Sequence, residues 1–169
     1  LSDIYIAQKE FDKSGKIVQQ LLRNFPKDTD ILFQHGLVLN QLALLDSGKQ
    51  VFKKVIEFDS AHIQALNQLT SYFYQKYQFD SANYYAEKSL TIDRREPFPM
   101  LIQARILDRT RKYYEAIAKY ESILAVDSTH KVASAELRYI RNKLLYMQRQ
   151  RDAERQRELQ VMPTLEPIF

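Results

Sequence analysis

An all-α solenoid of stacked helical hairpins is the fold class this sequence predicts, and three observations predict it. Similar residues recur in steps of 34 positions: Leu22, Ile56, Leu90 and Leu124; Asp59, Asp93 and Asp127; Asp12, Asp46 and Asp80; Phe11, Leu45, Phe79 and Tyr113. A fixed period of this size marks stacked units, each too small to bury its own apolar face. Within each period, two runs carry apolar residues at helical spacing. Finally, three Gly and five Pro in 169 residues suit helices joined by short turns and argue against a sheet rich in tight turns.

The clearest unit runs from Asp59 to Asp93, with a first helix from about Ile63 to Lys76, a turn at Tyr77-Gln78-Phe79 and a second helix from about Asp80 to Ile92. The same plan read from the start of the chain gives four units over residues 1–130, the first truncated at its N-terminal end. In unit one, Leu1 to Lys9 is the tail of a first helix. Asp12 caps a second helix whose inner face is Ile17, Val18, Leu21 and Leu22. Pro26 ends it, because the residue before proline disfavours the α conformation.

Unit two runs from about Thr29 to Asp59. Leu32, Gly36 and Leu39 share one face of its first helix. Gly36 costs that helix about 1 kcal/mol against Ala, and a close crossing of two helices is the reason to accept the cost. Asp46 and Ser47 open the second helix, with Phe52, Val55 and Ile56 inward. In unit three the inner positions are Leu66, Leu69 and Phe73, then Ala82, Ala86 and Leu90. Unit four begins at Pro97, a favoured first-turn residue, puts Ala104 in the place of Gly36, and buries Ala116, Tyr120, Ile123 and Leu124. Leu90 and Leu124 are expected to be fully buried at matching places.

A last helix, 131–160, follows as a capping and then projecting element. Leu137, Ile140, Leu144 and Met147 form its apolar stripe, after which Arg151, Glu154 and Glu158 take over and the helix should enter water. Pro163 stops it, and 161–169 form a short apolar tail with Leu165, Ile168 and Phe169.

Composition sets the outer bounds. The hydrophobic fraction of 45% and charged fraction of 27% are those of a soluble globular protein. With no Cys there is no disulfide, thiolate metal site or Cys nucleophile, and the redox compartment stays open between cytoplasm and periplasm. No apolar run approaches the roughly 20 residues that span a bilayer. The chain opens on Leu1 and has the look of a trimmed start, with room upstream for a signal, a lipid anchor or further repeats. The net charge of +4 is concentrated late: residues 131–160 carry eight Lys/Arg against four Asp/Glu, and the first 130 carry 17 against 16.

The pattern resembles the tetratricopeptide repeat (TPR). Its first-helix places read Leu32, His35-Gly36 and Leu39; Leu66, Leu69-Thr70 and Phe73; Met100, Gln103-Ala104 and Leu107. Its second-helix small, aromatic and small places read Gly48, Phe52 and Val55; Ala82, Ala86 and Ser89; Ala116, Tyr120 and Ile123. The family's turn appears as Phe79-Asp80-Ser81-Ala82, and its closing Asp-Pro survives only as Phe25-Pro26. The resemblance implies a right-handed superhelix whose first helices line a concave groove, and a non-enzymatic scaffold that takes a peptide or protein partner there.

In that register the groove positions are Phe33, Leu37, Asn40 and Gln41 in unit two, and Gln64, Asn67, Ser71, Tyr74 and Gln75 in unit three. Unit four adds Phe98, Leu101, Arg105, Asp108 and Arg109, and the cap adds Tyr139 and Lys143. The family's best-known specialised groove grips a C-terminal carboxylate with a Lys and an Asn one turn apart. Here the matching places hold Phe33/Leu37, Asn67/Ser71 and Leu101/Arg105, so chaperone tails are not expected ligands.

Other readings compete with these. The amide strip of Asn40, Gln41, Gln64, Asn67, Ser71 and Gln75 beside Tyr74 suits the backbone of an extended peptide, or is a plain solvated face. Arg105 and Arg109, one turn apart, suit a partner carboxylate, or pair locally with Asp108. The basic last helix raises a nucleic-acid regulator. However, Arg138, Arg141, Arg149, Arg151, Arg155 and Arg157 are scattered around it among acids, which argues against such a partner. Self-association through the helix and tail, as a homodimer, is a third reading. Catalysis finds no support: His35, His62 and His130 have no metal-ligand spacing, and there is no phosphate loop or nucleophile motif. No cofactor or metal is expected.

Overall fold

The computed structural model describes residues 2–161, with side chains from Lys13 to Gln160. The described residues form eight α-helices and no strand: α1 Ser2–Asn24, α2 Thr29–Gln41, α3 Leu45–Phe58, α4 Ile63–Gln75, α5 Phe79–Ile92, α6 Pro97–Arg109, α7 Tyr113–Val126 and α8 Lys131–Val161. From Met162 on, the expected apolar tail lies outside the described residues. Packing divides the chain into two compact units, Leu1–Ile106 and Leu107–Phe169, with the division inside α6.

In the first unit α1 packs on α2, α2 on α3, α3 on α4 and α4 on α5. One expectation fails at the start: α1 is a single helix, with no break at Asp12. Gln8, Lys9 and Glu10 are strong helix formers, and the chain runs through them without a turn.

The turns after α2, α4 and α6 share one backbone device. Ala43, Tyr77 and Arg111, spaced by the 34-residue period, hold φ of 60°, 58° and 63°. Around them the N–H groups of Leu44, Gln78 and Lys112 donate to the carbonyls of Leu39, Phe73 and Leu107 at 2.9, 2.9 and 2.8 Å. Those of Ala43, Tyr77 and Arg111 donate to Asn40, Tyr74 and Asp108 at 3.0 Å each. This is the Schellman arrangement, which satisfies two orphan carbonyls and usually takes glycine at the left-handed position. The next helices then open at Leu45, Phe79 and Tyr113 without a side-chain cap. Asp46 and Asp80, the expected openings, therefore sit inside the first turn, one residue beyond the observed start, where a carboxylate favours the helix dipole.

The other turns use side chains. Asp59, Asp93 and Asp127 end α3, α5 and α7 in extended backbone. Their Oδ1 atoms accept from the N–H groups of Ala61, Arg95 and Thr129 at 3.0, 2.8 and 2.9 Å. The Thr129 hydroxyl and then its N–H hold the Asp127 carboxyl below the usual carboxylate range. Asp28 caps α2 by accepting from the N–H groups of Asp30 and Ile31 at 3.0 Å. His62 and His130 act likewise through Nδ1, which accepts from Ala65 and Ala133 at 3.3 and 3.2 Å. Two of the three histidines are thus helix caps.

The close crossing expected at Gly36 is present. A Cβ there would lie 2.5 Å from Cε1 of Phe52, whose ring is 1% exposed. The buried second-helix stripe is Gly48, Phe52 and Val55 in α3, Ala82, Ala86 and Ser89 in α5, and Ala116, Tyr120 and Ile123 in α7. Leu90 and Leu124 are only half-buried, as are Leu22 and Ile56, so the expectation of full burial is corrected. Ile56, Leu90 and Leu124 each stand one position beyond the stripe, at its edge. The α3–α4 joint is pinned at the surface: the Tyr72 hydroxyl donates to Asp46, and Lys49 Nζ lies 3.3 Å from that hydroxyl and 3.4 Å from Asp46.

In the second unit α7 packs on α8. Ala133, Leu137 and Ile140 are buried, and the Tyr120 hydroxyl donates to Glu136 at 2.7 Å. The α8 stripe fades earlier than expected, since Leu144 is half-buried and Met147 exposed. Every residue from Leu145 to Gln160 is exposed.

Candidate partner-binding face

The first helices of the first unit position most of the anticipated groove residues. The α2 and α4 helices are joined directly: the Asn40 amide donates to Gln68 Oε1 at 3.3 Å. Around this bridge Gln41, Gln64 and Gln75 are exposed, Ser71 is half-buried, and Gln75 donates to the Ser71 hydroxyl at 3.1 Å. These residues form one polar strip across two helices. Gln68, missed in the sequence reading, belongs to it. It stands one turn beyond Gln64, which was the available signal, but its place in the next period is buried Ile102 and hid it.

One series of anticipated groove residues turns inward instead. Phe33 lies against Phe52 and His62, with ring centroids 5.7 and 4.9 Å apart. Asn67 accepts from the fully buried Ser89 hydroxyl at 3.0 Å and donates to Glu96 at 3.1 Å. Leu101 is buried. The place shared by Phe33, Asn67 and Leu101 therefore serves packing. Tyr74 lies half-buried against the Ala82, Ile102 and Ile106 cluster, with its ring 6.1 Å from that of Phe79. Phe98 packs against the same cluster, and Leu37 against the one built on Leu32, Phe52 and Leu69. Asn67 and Tyr74 thus do not point away from the packed core, contrary to expectation. Arg105 is half-buried and has interactions within the chain.

The remaining groove residues lie in the second unit around a cleft of about 530 Å³ lined by Asp108, Arg109, Arg111, Tyr113, Lys143 and Met147. Lys143 Nζ is 3.4 Å from Asp108 Oδ1 and 4.6 Å from the centre of the Tyr113 ring. The centre of the Tyr139 ring is 5.8 Å from the same ammonium. Burial works against the Lys143 charge, but the Asp108 carboxylate and Tyr113 hydroxyl outweigh it and hold the ammonium above the usual lysine range. Arg109 is exposed and has interactions within the chain. Among the described residues no cluster of three or more His, Asp or Glu is placed to hold a metal ion. No helix among them is long and apolar enough to cross a membrane.

No known family profile matches this chain, and no curated protein matches it in sequence. Solved structures do resemble it. The TPR domain of Arabidopsis OM64 aligns with a TM-score of 0.62 at 16% identity, covering 68% of this chain and 94% of that one. MamA protein aligns with a TM-score of 0.68 at 15% identity, covering 98% and 93%. YrrB, a TPR protein with an unusual peptide-binding site, gives 0.64 at 12% identity, covering 82% and 71%. Likeness at such low identity speaks for fold, and it agrees with the 34-residue period, the three matching Schellman turns and the small-aromatic-small stripes. The chain is an all-α helical-repeat protein of the tetratricopeptide-repeat fold.

Proposed function

We propose that this chain is a non-enzymatic scaffold that holds an extended segment of a protein partner along the first-helix face of its first unit. The observation that carries the reading is the Asn40–Gln68 bridge, which fuses the exposed amides of α2 and α4 into one strip. Amides offer both donors and acceptors, so such a strip can pair with the backbone of an extended peptide whatever its side chains. Leu37 and Tyr74 pack inward but are only half-buried, and the part of each that stays exposed can supply apolar contact. YrrB, of similar fold, has an unusual peptide-binding site, which supports a peptide as the ligand.

The test is to pan a random dodecapeptide library on the whole chain and to measure the affinity of the selected peptides by calorimetry. The double change Gln64→Ala with Gln75→Ala removes exposed side chains and should leave the melting temperature unchanged. It should weaken selected peptides about tenfold, or roughly 1.4 kcal/mol. Binders indifferent to that pair would move the site off this face.

A further inference from the structure

We propose that the cleft in the second unit is an anion site for the carboxylate of an acidic peptide segment, with Lys143 as its counter-ion and Tyr113 and Met147 against a neighbouring apolar side chain. The proposal shares with the preceding section only the premise that partners are peptides. It does not depend on the amide strip.

Size, charge and surface chemistry carry it. The cleft volume of about 530 Å³ lies within the range of small-ligand sites, roughly 300–1,000 Å³. Leaving aside Arg109, which has interactions within the chain, its lining sets Arg111 and Lys143 against the single carboxylate of Asp108, so these three leave one positive charge with Asp108 ionised. Lys143 keeps a third of its side chain exposed while contacting Asp108, which makes its counter-ion exchangeable from solvent. The Lys143–Asp108 distance of 3.4 Å is long for a charge-assisted hydrogen bond, which usually measures about 2.7–2.9 Å. The Tyr113 ring beneath the ammonium fixes its position without neutralising it. Met147, 40% exposed at the rim, gives the cleft a soft apolar wall that suits an aliphatic neighbour of the acid. A bare phosphate would use the cations and leave that wall idle; an acidic-apolar peptide uses both.

The carboxylate can come from an Asp or Glu side chain or from a peptide C-terminus, and the experiment separates these. The same dodecapeptide library, in free-acid and amidated forms, is panned on the whole chain and on Lys143→Gln, Arg111→Gln and Asp108→Asn. Expected are pools from the unaltered chain enriched in Asp and Glu beside Leu, Ile or Met. Binding should fall about tenfold with Lys143→Gln and with Arg111→Gln, an exposed turn residue whose loss spares the fold. It should rise with Asp108→Asn, because the internal competitor is gone. Enrichment surviving amidation assigns the acid to side chains; enrichment confined to free-acid peptides assigns it to the C-terminus. A pool without acidic enrichment overturns the proposal, as does an acidic pool indifferent to Lys143→Gln and Arg111→Gln. A fluorescent oligouridine 12-mer that binds the chain and is lost with the same changes, in place of peptide, also overturns it. Peptides that fail with Gln64→Ala/Gln75→Ala but not with the cleft changes would keep the strip and discard the cleft. The reverse pattern would keep the cleft and discard the strip.

Discussion

The α2–α3 and α4–α5 hairpins are the same object solved with different side chains. At one crossing Gly36 meets the Phe52 ring; at the matching place Thr70 stands with Ala86, and all but Phe52, which is 1% exposed, are equally buried small groups. One hairpin puts Phe33, packed on the core cluster that holds Val55, where the other puts Asn67, hydrogen-bonded to Ser89 at 3.0 Å, so apolar packing is replaced by a polar bond. One carries His35 where the other buries Leu69 completely. The period therefore conserves a filled crossing and satisfied buried polar groups among the described residues, not residue type. Interiors packed at crystal density permit such exchanges only in matched sets.

The largest expected effect breaks the crossing. Phe52→Ala should cost roughly 3–5 kcal/mol in urea unfolding, as for other core aromatics. Adding Gly36→Thr imports the other hairpin's solution and should recover part of that loss. Gly36→Thr alone should destabilise, because its Cβ would fall 2.5 Å from the ring. Strictly additive single and double changes would refute the matched-set account.

A smaller effect tests the polar exchange. Asn67→Ala leaves the fully buried Ser89 hydroxyl without its acceptor and should cost roughly 1–3 kcal/mol. Asn67→Ala combined with Ser89→Ala should cost less than Asn67→Ala alone. Equal stability of the two variants would show that the bond has no structural weight.

The smallest effect is a pH dependence confined to one hairpin. Burial, aided by the Lys54 charge, pushes the His35 imidazole below its ordinary value of 6.5. The folded state then binds fewer protons there than the unfolded chain. The stability tied to the neutral ring is present above that ordinary value and is lost as pH falls through it toward the lowered folded value. The melting temperature should drop between pH 7.5 and pH 5.5, and His35→Leu, which copies Leu69, should flatten the drop. An unchanged slope would exonerate His35.

Much of this was legible in the sequence, because a 34-residue period leaves a repeated mark wherever backbone geometry demands a residue type. Phe52, Ala86 and Tyr120 fall on the buried stripe as read. Leu90 and Leu124 did not, because an apolar residue at a regular interval can serve the edge of a stripe as well as its centre. The groove positions were the weakest reading. Asn67 looks like a solvent-facing amide in sequence and is in fact the partner of a buried hydroxyl, which a single chain cannot reveal until Ser89 is placed beside it. The cleft drew on Asp108, Arg109 and Lys143, all anticipated, but Arg111 and Tyr113 entered only once the left-handed turn brought them to the rim.

That turn also bears on how such a chain can change over time. Ala43, Tyr77 and Arg111 each occupy a conformation that disfavours an L-residue by roughly 1–2 kcal/mol, and glycine would adopt it freely. Each of these three turns thus holds one substitution that adds stability without altering a buried contact. Most acquisitions of a new binding specificity destabilise their host to some degree. An array that can offset such losses at its turns can alter its partner-facing side chains one at a time, with the hairpin cores left as they are.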